Sequence, residues 1–144
     1  MLDAARSTPL AAAQAVAREY GVACDEAVRI AGGSNELVHL NPALVVARVM
    51  TGTAVLHDDV ERWLAREVAV GAFVAERSDV VVPPSDILPP GPHERDGFWM
   101  TLWKFVPHDP EVAPPEPREL GRSLRGLHAA LAGFPGDLAP LSEI

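Results

Sequence analysis

The sequence is poor in several residue types, and each scarcity excludes a class of chemistry. It has one cysteine, Cys24, in 144 residues. No intramolecular disulfide and no Cys-x-x-Cys metal or redox site can be built from that. Lysine occurs once, at Lys104, and the rest of the 12 cationic side chains are scattered arginines. Against 20 aspartates and glutamates the formal net charge is −8. An acidic surface without a basic stripe repels phosphate backbones, which argues against a nucleic-acid partner. The longest apolar run, Val68 to Ala75, is far shorter than the roughly 20 residues a helix needs to cross a bilayer. The Ala-rich stretch from Pro9 to Ala17 is broken by Gln14 and makes a poor signal peptide. The expectation is a soluble, cytoplasmic protein that engages no membrane. The chain has no G-x4-G-K-[ST] phosphate loop, no His-Glu-x-x-His motif and no G-x-S-x-G nucleophile elbow. His39, His57, His93, His108 and His128 are too dispersed to suggest a metal cluster.

What the chain does have is apolar content, 48% of its residues, enough for a core without covalent or metal staples. Its order of elements is α+β. Ser7 or Thr8 can cap a first helix with Pro9 at its opening position, ending at Gly21. A strand-like piece follows over Ala23–Ala31, then the turn Gly32-Gly33-Ser34-Asn35, then a strand over Glu36–Leu40. Asn41-Pro42 is a turn signal, and the β-branched run Ala43–Met50 reads as a third strand. Asp58 or Asp59 opens the longest helix, to about Arg77, with its acids at the dipole's positive end. Val80-Val81-Val82 leads into a proline-broken region, and Phe98–Val106 is the last strand. Five prolines between Pro107 and Pro117 impose an extended connector. Glu119–Leu131 is a final helix with Leu120, Leu124, Leu127 and Leu131 on one face.

One carboxylate breaks the pattern of the long helix. On a helical wheel Val60, Trp63, Leu64, Val68, Val70, Gly71 and Val74 share a side, and Arg62, Arg66 and Glu76 lie opposite. Glu67 falls near the middle of the apolar stripe. An unpartnered buried charge costs about 3–5 kcal/mol, so Glu67 requires a cation on whatever the helix packs against. In the preceding strand, Leu44, Val46, Arg48 and Met50 share a face by period-two alternation, and Arg48 is that strand's only charge. The expectation is an Arg48–Glu67 ion pair between helix and sheet, which is either a structural bridge or part of a binding site.

A glycine turn between two strands, a strand with a single cation, and a helix bearing a carboxylate form the N-lobe pattern of kinases. The particular residues resemble the aminoglycoside phosphotransferase family. They are Gly32-Gly33-Ser34-Asn35, Val45-Val46-Ala47-Arg48, Glu61 to Glu67, Trp99 to Pro107, and Leu120 to His128. The resemblance covers about Val28 to Leu131. It implies a kinase-like N-lobe: a five-stranded antiparallel sheet with one long packed helix, an N-terminal helix, and a C-terminal helix after a proline-rich hinge. Residues 1–106 would form the lobe, 107–118 the hinge or linker, and 119–144 the start of a truncated C-lobe.

The resemblance also implies roles. Gly33, Ser34 and Asn35 would cradle the phosphates of ATP, and Arg48, oriented by Glu67, would hold its α- and β-phosphates. Val46 and Leu102 would line the adenine pocket. Backbone groups around Trp103, Phe105 and Val106 would bond the adenine edge. ATP and Mg2+ are the implied cofactors, and a hydroxyl of a small molecule the implied acceptor. The catalytic His-x-Asp-x4-Asn run of kinases has no counterpart. His57-Asp58-Asp59 has Leu64 at the asparagine position and reads as a helix cap, and Asp137 sits in a Gly/Pro turn. The expectation is therefore an ATP-binding lobe that contributes no catalytic residue of its own. The alternative is a non-catalytic module that self-associates or pairs with a partner chain through the leucine-faced C-terminal helix.

Overall fold

The computed structural model describes residues 7–52 and 58–136. Helix α1 (Pro9–Glu19) opens as its sequence requires: Thr8 accepts a hydrogen bond from the Ala11 amide at 3.1 Å, and Pro9 occupies the first turn. Strands β1 (Cys24–Ala31), β2 (Asn35–Pro42) and β3 (Val45–Met50) form an antiparallel meander. Helix α2 (Val60–Ala75) follows, capped by the Asp59 side chain on the Arg62 amide at 3.1 Å. His57 and Asp137 lie outside the described residues. The short β4 (His93–Arg95), β5 (Phe98–Lys104) and helix α3 (Pro117–Leu131) complete the chain.

The five strands make one antiparallel sheet in the order β1-β2-β3-β5-β4. Its fifth member, β4, occupies only three residues beside a reversal at Asp96 and Gly97, both with positive φ. The proline-broken stretch before it runs alongside β5: the Ser85 amide donates to the Leu102 carbonyl and the Lys104 amide to that of Pro83. Prolines that cannot continue a ladder thus still cover the edge of β5.

The two sheet faces carry different loads. Val38, Val45, Ala47, Val49, Met100 and Leu102 are buried against Ala12, Ala13, Val16 and Ala17 of α1. The small alanines let the helix approach closely, so this face holds the apolar core. The opposite face carries Leu37, His39, Val46, Arg48, Thr101 and Trp103, paired across the ladders as Leu37–Arg48–Thr101 and His39–Val46–Trp103. Helix α2 packs on this second face, where Gly71 meets the indole of Trp103. Leu64 and Val74 are its buried residues. Helix α3 has no buried residue and lies against α2, and just past its end Phe134 meets Phe73 of α2 edge-on at 5.4 Å. Among the described residues no helix is long and apolar enough to cross a membrane.

Candidate functional site

Arg48 leaves the middle of β3 on the α2 side, and Glu67 projects toward it from the second turn of α2. The Arg48 Nη1 and the Glu67 Oε1 form an ion pair, as the sequence requires. Its side chains remain 27% and 26% exposed, so the pair is half-buried and reaches water at one edge. Burial of the guanidinium pushes the Arg48 pKa below its ordinary value, because a desolvated cation is disfavoured. The carboxylate of Glu67 opposes that penalty and fixes where the guanidinium points.

Two cavities adjoin the pair, and Arg48 lines both. The first is an apolar cleft of about 420 Å3 on the open sheet face. Its walls are Ile30 and Leu37 from the first hairpin, Val46 and Arg48 from β3, Val82, Trp103 to Val106, and His108. Ile30, Val82 and Val106 are exposed apolar side chains that converge on this one hollow, the mark of a site made to be covered. Phe105 is held in place by a parallel stack on His39, with ring centroids 3.8 Å apart, and His39 Nε2 bonds the Ala43 carbonyl oxygen at 2.9 Å. The second cavity, about 370 Å3, is lined by Arg48, Trp63, Arg66, Glu67 and Val70.

The structure corrects three expectations. Leu102 does not line the cleft: it pairs with Ala47 and is fully buried on the α1 side. A one-residue step along β5 reverses the face, so its neighbour Trp103 lines the cleft instead. The backbone expected to meet an adenine edge is partly occupied. The Lys104 amide donates to Pro83 and the Phe105 amide to the Leu44 carbonyl at 3.0 Å. Arg66 does not lie opposite the apolar stripe: it is half-buried and joins Trp63, Glu67 and Val70 around the second cavity.

Gly33, Ser34 and Asn35 form the hairpin tip, and neither cavity includes them in its walls; Ile30 and Leu37 on either side do. The tip is tied to the chain leaving β3. The Ser34 carbonyl accepts from the Gly52 amide at 3.1 Å and from Thr51 Oγ1 at 3.1 Å. Gly33 has φ +151°, a conformation that a side chain would strain. Lining residues with no sequence signal of their own are Ile30 and Leu37, because apolar residues on a two-sided sheet carry no mark of which face is open, and Val82 and His108, which lie in irregular segments without a period. No family model matches the chain, and neither a curated protein nor a solved structure matches it. The site therefore stands on its own geometry.

Proposed function

We propose that this chain is the ATP-binding lobe of a small-molecule kinase similar to the aminoglycoside phosphotransferases, serving phosphoryl transfer from ATP to a hydroxyl. The observation that carries the reading is the position of Arg48, paired with Glu67 and shared between an apolar cleft and a charged pocket. The cleft suits a flat heteroaromatic base: Ile30, Leu37, Val46 and Trp103 supply apolar walls, and the Val106 amide a directional donor. The arginine suits the phosphates that follow the base, because a guanidinium offers paired donors to phosphate oxygens. In this reading Gly33, Ser34 and Asn35 close over the phosphate tail with backbone amides and short polar side chains.

The residues present fit ATP better than they fit magnesium. Among the described residues no three carboxylate, imidazole or thiolate groups converge to hold a metal ion, so no step is assigned to Mg2+ here. Transfer itself needs an aspartate near the acceptor hydroxyl, and no described residue takes that role. What this chain supplies is binding and orientation of the donor nucleotide. Titration calorimetry with ATP, GTP and adenosine tests the reading. Saturable adenosine and ATP binding that Val46→Trp abolishes without lowering Tm supports it, and no heat from any of them at millimolar concentration refutes it.

A second reading has one observation in its favour. Leu120 and Leu124 of α3 are 52% and 46% exposed, although the helix is strongly two-faced. A non-catalytic module would use that face to pair with a second copy or a partner chain. Light scattering separates the two readings: a dimer dissociated by Leu120→Gln/Leu124→Gln, with no nucleotide binding, favours the module.

A further inference from the structure

The pocket beside the cleft has a charge that the Arg48–Glu67 pair does not balance. Arg66 lines it together with that pair, and none of the ion pairs found among the described residues includes it. Two guanidiniums and one carboxylate thus line a cavity of about 370 Å3, on a chain whose net charge is −8. Trp63 and Val70 form apolar walls on either side, and such low-dielectric walls strengthen the field of the second cation. The helical spacing is what assembles this. Residues 63, 66, 67 and 70 recur at three and four positions and so share one strip of α2. An arginine that served only solubility would gain nothing from standing half-buried among an indole and a valine.

We infer that this pocket is a polyphosphate subsite in which Arg66 acts as a second phosphate-binding cation beside Arg48. The inference deepens the nucleotide reading above and rests on it for the orientation of ATP. A base in the cleft places its phosphate chain past Arg48, the one residue common to both cavities, and the next hollow along is the one Arg66 lines. Glu67 has a double effect there. It holds Arg48 in place, and because its charge is engaged there, the anion itself becomes the partner of Arg66. Arg66 is a binding residue in this account and takes no part in bond making.

The test uses the whole chain, without divalent cations, and calorimetric titration with sodium tripolyphosphate, ATP and adenosine. Arg66→Gln is compared with Arg62→Gln, which removes the same charge from an exposed position of the same helix. The expected result is that Arg66→Gln weakens tripolyphosphate and ATP about tenfold, the loss typical of one charge-assisted contact. Adenosine affinity stays unchanged, and Arg62→Gln behaves as wild type. Equal affinity of wild type and Arg66→Gln for both phosphate ligands overturns the subsite, as does equal weakening by Arg62→Gln. The two readings fail separately. Adenosine binding with Arg66-indifferent ATP binding keeps the cleft and refutes the subsite. Arg66-dependent tripolyphosphate binding with no adenosine binding keeps the subsite and refutes the cleft.

Discussion

Gly71 of α2 lies directly on the indole of Trp103: a methyl group at Gly71 would come within 2.8 Å of the ring carbons Cη2 and Cζ3. The ring cannot swing aside freely, because its Nε1 donates to Thr101 Oγ1 at 2.9 Å. This contact sets how closely α2 approaches the sheet, and with it the reach of Glu67 to Arg48.

Gly71→Ala therefore has two opposed effects. Alanine in a helix interior gains about 1 kcal/mol over glycine from propensity, whereas overpacking against a held ring costs about 1–3 kcal/mol. The clash outweighs the propensity gain. Urea unfolding is expected to show a net loss of stability. A net gain would mean that α2 can lift off the sheet without cost.

Glu67→Gln leaves the Arg48 guanidinium half-buried without its counter-ion. The expected loss is about 1–3 kcal/mol, below the cost at a fully buried site because this pair reaches water. Glu61→Gln, on the exposed side of the same helix, should change stability by no more than about 0.5 kcal/mol. A double-mutant cycle with Arg48→Gln should return a coupling energy for the 48–67 pair and none for 48–61.

Cys24 is buried at the start of β1, and burial pushes its thiol pKa up, because the thiolate is the disfavoured form. The folded state then holds its proton more tightly than the unfolded chain does. Its contribution to stability is complete below the ordinary thiol value, about 8.5, and is lost as pH rises through that value toward the raised one. Denaturation midpoints should fall across that alkaline window in wild type and fall less in Cys24→Ala. Thiol reagents should modify Cys24 slowly unless denaturant is present.

The link between α3 and the rest of the fold is local. Phe134 meets Phe73 edge-on, and Arg77 lies over the Phe73 ring, 3.6 Å from its centroid. A fifteen-residue helix with no buried residue is marginal by itself. Phe134→Ala should speed hydrogen exchange across α3 while leaving β3 and β5 protected. Uniform loss of protection would show that α3 belongs to the same cooperative unit as the sheet.

Much of the fold was legible because its signals are local. Thr8-Pro9 marked the first helix, Asp59 capped α2, and a lone arginine and a lone glutamate in apolar stretches identified each other as partners. The faces of β5 were harder to read. Met100, Leu102 and Trp103 are all apolar, and a strand covered on both sides loses the alternation that assigns a face, so nothing in the sequence separates Leu102, in the α1 layer, from Trp103, beside the cleft. The three-residue β4 is too short to give a period. Arg66 falls opposite the apolar stripe on a helical wheel, which shows the side a residue is on and not what the neighbouring strand brings to it.

Whether the hollow beside Arg48 receives a nucleotide is decided by titrating the purified chain with adenosine and ATP. One saturable site per chain is expected for both ligands. ATP should bind more tightly than adenosine, and Arg48→Gln should remove that advantage while adenosine binding persists. Absence of binding by either ligand, or an ATP advantage indifferent to Arg48, would contradict a nucleotide site there.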